Sequence, residues 1–325
     1  MVKVRAHSNI ALVKYWGKRH IPLNIPAVGS ISITLDALYT DTAVVFDPSL
    51  TEDRLVLNGI PAKEKESRRV SAFLDRVRKM AGRDDFARIE SVNNFPTAAG
   101  LASSASAFAA LALAATRAAG LTLSPPELSV LARIGSGSAA RSLFGGFVQM
   151  HRGERDDGRD AYAEPLYKGD YWPLRVIIAV TAEGPKKTGS TDGMEHSRLT
   201  SPYYEAWVSD SQKDIDAMRE ALKNKDFERL ADISEYSCLK MHALAMSGRP
   251  GLIYWNDRTL ELLHWVRARR AEGWPVFFTI DAGPQLKVIC PEDYGERVGA
   301  LLREHPAVER IIESSLGNDA RVMDE

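Results

Sequence analysis

Asn93-Asn94-Phe95-Pro96-Thr97-Ala98-Ala99-Gly100-Leu101-Ala102-Ser103-Ser104 joins two stretches of opposite period. Phe86 to Val92 alternates like a strand entering a core, and Ala105 to Ala119 is a run of small and apolar residues with helical spacing. Between them Pro96 opens a turn, Gly100 frees the backbone, and Ser103 and Ser104 stand where the helix begins. A helix start carries unpaired N–H groups and the positive end of the dipole, so it attracts an anion. The two hydroxyls can cap the helix or turn towards a metal or a phosphate. Read alone, the segment is equally a capped strand–turn–helix joint and a phosphate cradle.

The bulk properties narrow the field. A chain of 325 residues has room for two domains or one large one. Hydrophobic content of 45 % and charged content of 26 % are those of a soluble globular protein. A net charge of −1 gives no global pull towards nucleic acid or a membrane surface, so phosphate binding would rest on local clusters. Cys238 and Cys290 lie far apart without metal-site spacing, and the simple reading is a reduced, cytosolic chain. The N-terminal stretch carries charges through its apolar part, unlike a signal peptide. No apolar run approaches the roughly 20 residues of a membrane span.

Outward from the opening segment, Val2 to Ala6 reads as a short strand, followed by an aperiodic loop at residues 8–20 with cationic and aromatic residues beside Gly17. Ser30 to Leu35 and Asp41 to Asp47 are period-two strands, and Arg54 to Leu57 with Asn58-Gly59 signals a hairpin. Lys63 to Met80 reads as an amphipathic helix with a basic outer face that includes Arg68 and Arg69; such faces are commonly just solvated. Ser124-Pro125-Pro126-Glu127 starts another helix. Gly135-Ser136-Gly137-Ser138-Ala139-Ala140-Arg141 is a second hydroxyl-rich turn, and it delivers an Arg one turn into a helix. Phe147 to Met150 and Leu174 to Thr181 are strands. A domain boundary is placed close after the latter, giving domains 1–182 and 183–325. Helices over Pro202 to Asn224, Asp226 to Met246 and Asn256 to Glu272 precede strands at Val276 to Ile280, Gln285 to Cys290 and Arg310 to Glu313, an α+β pattern.

Walker-type, dinucleotide-binding, nucleophile-elbow and His- or Cys-rich metal motifs are absent. His242 and His264 sit among apolar helix neighbours and read as structural. What remains fits phosphoryl transfer, which needs a polyphosphate cradle, Mg²⁺, cations and a residue orienting the attacking oxygen. Residues 97–104 supply a cradle, and Lys18, Arg69, Arg141, Lys186 and Lys187 supply cations. Asp281 ends a strand ahead of Gly283-Pro284; an Asx turn would explain it equally well.

Asn9-Ile10-Ala11-Leu12-Val13-Lys14-Tyr15-Trp16-Gly17-Lys18-Arg19, with Phe95-Pro96-Thr97-Ala98-Ala99-Gly100-Leu101-Ala102-Ser103-Ser104-Ala105, resembles the diphosphomevalonate decarboxylases of the GHMP kinase superfamily. Ser136 to Ser142, Ser190-Thr191-Asp192-Gly193-Met194 and Asp281-Ala282-Gly283-Pro284 match the same family in the same order. The resemblance implies a two-domain GHMP kinase fold. An N-terminal ribosomal-protein-S5-like α/β domain would have a left-handed crossover. A ferredoxin-like domain would follow, with the active site in the cleft and homodimers usual. It also implies ATP-dependent phosphorylation of the tertiary 3-hydroxyl of (R)-5-diphosphomevalonate, then loss of phosphate and CO₂ to give isopentenyl diphosphate, with no organic cofactor.

Site residues follow from the same resemblance. Asp281 would orient or deprotonate the hydroxyl. Arg141 would grip the substrate carboxylate with its planar fork. Lys18 would neutralise charge between substrate and transferring phosphoryl. Tyr15, Trp16, Gly17, Lys18, Arg69, Ser136, Gly137, Ser138, Ala139, Ala140, Arg141 and Thr191 would bind substrate. Thr97, Ala98, Ala99, Gly100, Leu101, Ala102, Ser103, Ser104 and Ser190 would hold ATP, with Ser103 or Ser104 near Mg²⁺. Lys186 and Lys187 would lie on a loop closing over ATP. Two positions depart from the family pattern: Ile25-Pro26-Ala27-Val28-Gly29 stands where an Asn-Ser pair is common, and Gln285 where Asn is usual. Relatives that decarboxylate 5-phosphomevalonate, or that only phosphorylate mevalonate at the 3-position, share much of this motif set.

Overall fold

The structure, a computed structural model, describes residues 1–95, 103–184 and 188–323. Strand β1 (Val2–Val13) continues past Ala6, where the sequence predicts it to end, and so absorbs the first part of the expected loop. The ladder to β4 persists from Val2↔Val44 to Val13↔Ile31, but its register shifts between His7 and Asn9 and again between Ala11 and Val13. Each shift breaks the alternation that marks a strand while the pairing goes on. Beyond β1 lie the short strands β2 (Lys18–His20) and β3 (Ile25–Pro26), and then β4 (Ser30–Phe46). β4 merges two predicted strands, because its first end pairs with β8 and its last with β7.

The hairpin of β5 (Arg54–Leu57) and β6 (Ile60–Pro61) turns at Asn58 and Gly59, with φ of 50° and 78° as a two-residue type I′ turn requires. Helix α1 (Glu64–Ala81) ends on Gly82 in the left-handed region. β7 (Ala87–Asn93), α2 (Ser103–Ala118) and α3 (Pro125–Gly135) follow. The N-cap Ser124 of α3 donates its backbone N–H to Glu127, a capping box. A 3-10 helix (Gly137–Leu143) leads into β8 (Phe147–Met150), which pairs with β9 (Ala163–Tyr167). The first sheet runs β14-β1-β4-β7-β5-β6, with β8 and β9 attached through β4. Phe73, Leu74 and Val77 of α1 and the Ala-rich face of α2 bury Val4, Ala6, Val44 and Ile89 of this sheet.

β10 (Leu174–Val180) opens the second half, followed by α4 (Ser190–Thr200), α5 (Tyr204–Asn224), α6 (Phe227–Met246) and α7 (Asp257–Ala271). Then come β11 (Phe277–Ile280), β12 (Leu286–Pro291), α8 (Gly295–Glu304), β13 (Arg310–Ser314) and β14 (Arg321–Val322). The second sheet is antiparallel with order β11-β12-β10-β13, the ferredoxin-like arrangement. A cut between 182 and 183 would remove β10 from the centre of this sheet, so strand pairing divides the chain before Leu174. The apolar run of β10 feeds two cores: Val176, Ile178 and Val180 face the core shared with β1 and β4, while Ile177 and Ala179 face α7 and α8. β14 returns to the first sheet beside β1. The fold class is therefore α+β in two domains, as the sequence predicts.

One buried ion pair ties α1 to the sheet. Asp53 accepts from both terminal nitrogens of Arg78 at 2.9 and 3.0 Å and from the backbone N–H of Ala87 at 2.8 Å. The two side chains are only 7 % and 3 % exposed. Asp53→Ala is expected to lower the free energy of unfolding by about 3 kcal/mol, because it strands a buried guanidinium. Asp75, the other partner of Arg78, is 68 % exposed. Asp75→Ala should cost about 1 kcal/mol or less, with both variants read by urea unfolding titration.

Candidate active site

The interface of the two halves holds a cavity of about 340 Å³. The turn after β1 contributes Lys14, Tyr15 and Trp16; the start of β2 contributes Lys18; α1 contributes Arg69; the first turn of α2 contributes Ser103 and Ser104. Ser136, Gly137, Ser138 and Arg141 enter from the 3-10 segment, Ser190 and Thr191 from the start of α4, and Asp281 from the end of β11. Three of the predicted residues do not line it. Ala139 and Ala140 are fully buried inside the 3-10 helix. Gly17 has φ +103° and lies against the Tyr204 hydroxyl, where a Cβ would collide; the turn needs glycine for conformation and close approach. Thr97, Ala98, Ala99, Gly100, Leu101, Ala102, Lys186 and Lys187 fall outside the described residues.

Asp281 is not spent on an Asx turn: its backbone carbonyl accepts from the Gly283 N–H at 2.7 Å, which leaves the carboxylate free for other work. Lys14 Nζ donates to Asp281 Oδ1 at 2.6 Å and to the Ala11 carbonyl at 2.8 Å, and Lys287 Nζ stands 3.7 Å from Oδ2. Burial pushes the Asp281 carboxyl up, but Lys14, Lys287 and Arg141 outweigh it and hold the group down at about 2. The carboxylate is therefore ionised at neutral pH and acts as an acceptor. Lys14 carries no predicted role, although it stands in the same short motif as Lys18; only the fold brings it to a residue 267 positions away.

Arg141 is buried, and among the described residues it has no carboxylate partner. Its Nε and one Nη2 hydrogen go to Asn9 Oδ1 at 3.2 and 3.0 Å, and Nη1 donates to Ser30 Oγ at 2.6 Å. Asn9 is itself locked, donating to the Ser138 carbonyl and to Ser142 Oγ. A guanidinium has five N–H donors, so one on each terminal nitrogen is left over, the pair that suits a carboxylate. Burial lowers the Arg141 pKa to about 10, and the group stays cationic at neutral pH. Asn9 and Ser30 escape sequence reasoning because short polar residues in strands give no signal of what they hold.

Lys18 and Arg69 make no ion pair among the described residues, and burial lowers the pKa of both; Arg69 lowers Lys18 further. Arg69 does not extend into solvent: it donates to the Gly135 carbonyl and lies over the Phe108 ring. Unpaired cations on one wall are a seat for a polyanion. The Tyr15 hydroxyl is buried beside Gly137 without a partner among the described residues. Ser104, Ser136 and Ser138 form a loose chain of hydroxyls at 3.3 and 3.4 Å. Among the described residues no three His, Cys, Asp or Glu side chains gather as a metal site. The Ser103 and Ser104 hydroxyls still fit Mg²⁺, which takes most of its ligands from phosphates and water.

Neither departure from the family pattern reaches the cavity wall. Gln285 bonds the Thr181 N–H and the Ala182 carbonyl, both at 2.7 Å, and latches β12 to the end of β10. Ile25, Ala27 and Val28 are buried, and only the neighbouring Asn24 lines the cavity.

Residues 6–163 match the family model for the diphosphomevalonate decarboxylase-like N-terminal domain, and residues 176–322 the mevalonate 5-diphosphate decarboxylase C-terminal domain. The chain belongs to the diphosphomevalonate decarboxylase family. The two domain matches leave out 164–175, the same side of β10 on which strand pairing divides the chain. A diphosphomevalonate decarboxylase from Candida albicans is 35 % identical over 97 % of this chain and 95 % of its own. A phosphomevalonate decarboxylase from Haloferax volcanii is 34 % identical over 99 % of this chain and 97 % of its own. Among solved structures, MDDEF in complex with MVAPP, AMPPCP and magnesium is similar with a TM-score of 0.93 and 42 % identity, covering 100 % of this chain and 99 % of that one. The family thus includes enzymes named for two phosphorylation states of one substrate.

Proposed function

We propose that this chain catalyses the ATP- and Mg²⁺-dependent decarboxylation of (R)-5-diphosphomevalonate to isopentenyl diphosphate, with ADP, phosphate and CO₂, in the mevalonate route of isoprenoid synthesis. The observation that carries the reading is the meeting, in one cavity, of an ionised Asp281 and an Arg141 with two unspent donors. A plain kinase needs the first and has no use for the second.

The substrate diphosphate lies against Lys18 and Arg69, with Tyr15, Ser136, Ser138 and Thr191 around it. Asp281 accepts the hydrogen bond of the 3-hydroxyl and aligns its oxygen on the γ-phosphorus of ATP. As the O–P bond forms and the bond from the γ-phosphorus to ADP breaks, the proton passes along that hydrogen bond to the Asp281 carboxylate and on to solvent. With a carboxyl near 2, Asp281 works chiefly by orientation, which suits a loose phosphoryl transition state. Lys18 offsets the negative charge that accumulates there. The Ser103 or Ser104 hydroxyl would help hold Mg²⁺, which when bound would supply positive charge to the phosphates. The tertiary phosphate then departs, and the electrons of the C–CO₂ bond form the alkene. Arg141 holds the carboxylate so that this bond faces the departing phosphate.

The H. volcanii relative, which matches nearly the whole chain, favours 5-phosphomevalonate as the second reading. The assay supplies ATP and Mg²⁺ with mevalonate, its 5-phosphate and its 5-diphosphate in turn, and measures ADP and CO₂. Equimolar ADP and CO₂ from the diphosphate is the expected result. CO₂ from the monophosphate instead supports the second reading, and ADP without CO₂ overturns the decarboxylase. A cytoplasmic enzyme belongs to the same proposal, supported by two buried free cysteines, and so does a homodimer, which rests on the family resemblance alone. Among the described residues no helix is long and apolar enough to cross a membrane.

A further inference from the structure

We propose that Ser237, Cys238 and His242 of α6 are positioning residues that set the geometry of the Lys14–Asp281 pair. β11 is the outer strand of the second sheet, so among the described residues one edge of its backbone has no strand partner. Side chains of α6 occupy that edge. Glu235 Oε1 accepts from the Phe278 N–H at 3.3 Å, Cys238 Sγ accepts from the Ile280 N–H at 3.2 Å, and His242 Nε2 donates to the Ile280 carbonyl at 3.2 Å. Spacings of three and four put these residues on one stripe of the helix. The last two grip both backbone groups of the residue immediately before Asp281.

The same helix holds the other member of the pair. Ser237 Oγ accepts from the Lys14 N–H at 3.0 Å. Lys14 and Asp281 come from opposite ends of the chain and meet at 2.6 Å, and α6 bonds the backbone at or beside each. Thr279 Oγ1, donating to the Ala11 carbonyl at 3.3 Å, adds a direct tie between β11 and β1. The grip does not loosen near neutral pH. His242 is neutral, its pKa lowered by burial to about 3, and its Nε2 must carry the hydrogen because Ile280 offers only an acceptor. Burial raises the Cys238 thiol, so it too stays uncharged. A side chain that only filled the core could be exchanged for any apolar group of similar size; a clamp requires the donor or acceptor.

The inference rests on the reading that Asp281 serves the reacting hydroxyl, so Asp281→Asn is assayed in parallel. Ser237→Ala, Cys238→Ala and His242→Leu are measured for kcat, for KM of ATP and of 5-diphosphomevalonate, and for Tm. The clamp predicts a fall in kcat of about 10-fold or more with both KM values within about twofold, since misplacing a catalytic group by a fraction of an ångström acts on the chemical step. His242→Gln, which keeps an N–H donor, and Cys238→Ser, which keeps an acceptor, recover most of the rate. Should His242→Leu fail to fold, the Ser237 and Cys238 variants carry the test. Unchanged kcat in those variants, or losses that track Tm and are not recovered by Gln and Ser, overturn the clamp. If Asp281→Asn is inactive while the clamp variants are normal, only the clamp falls; if Asp281→Asn turns over normally, both fall.

Discussion

Asp281→Asn is expected to bind ATP as before and to lose ADP and CO₂ formation together, by about 10²- to 10⁴-fold, the usual scale for a group that directs proton transfer. The substitution keeps an oxygen to accept from Lys14 Nζ but removes the charge that draws the hydroxyl proton. Both products fall because phosphate must be installed before CO₂ can leave. The assay is ADP and CO₂ release at saturating substrate, with ATP binding followed separately; near-normal turnover would remove Asp281 from the mechanism. The carboxyl is held at about 2 against an ordinary 3.8, so the stability gained from the Lys14 pair is complete above about pH 4 and lost as pH falls towards 2. The wild type should accordingly show no acid limb from Asp281 between pH 5 and 8.

Arg141→Lys keeps a positive charge and should still lower kcat/KM by about 30- to 10³-fold, a loss of about 2–4 kcal/mol of transition-state stabilisation. An ammonium has three donors around a point and no plane. It cannot satisfy Asn9 and Ser30 in their present places and still present two parallel N–H groups to a carboxylate. ADP and CO₂ should decline in step, because a substrate held loosely by its carboxylate also presents its hydroxyl badly. A variant with normal kcat/KM would show that Arg141 serves the fold rather than the substrate. Asn9 anchors the fork through a single oxygen, so the cost of Arg141→Lys includes one buried acceptor left short of its partner.

Much of the frame was legible residue by residue. The Asn58-Gly59 hairpin, the Ser124 capping box and the alternation of Ala87–Asn93 all appear where local chemistry predicts them. Local signals failed where pairing overrode them: β1 continues through two register shifts, and β4 changes partners along its length. Neither α4, which begins at Ser190 with only a weak apolar stripe, nor α8, whose stripe of Val298, Leu301 and Leu302 spans just ten residues from Gly295, is anticipated. A strand apolar on both faces, as β10 is, looks the same at the end of one domain as at the centre of the next, so only its pairing shows which sheet it joins.

The sequence by itself determined the family, the chemistry and most of the residues that face the cavity, because phosphate seats and turns are built from contiguous residues whose types can be read in order. Tertiary structure alone decided which groups act on which. Lys14 reaches Asp281, Asn9 and Ser30 orient Arg141, and α6 sits against the bare edge of β11. Each contact joins residues far apart in the chain, Lys14 to Asp281 across the two halves, Arg141 to Asn9 and Ser30 within the first and α6 to β11 within the second, and a single hydrogen bond between such distant groups leaves no pattern in either segment.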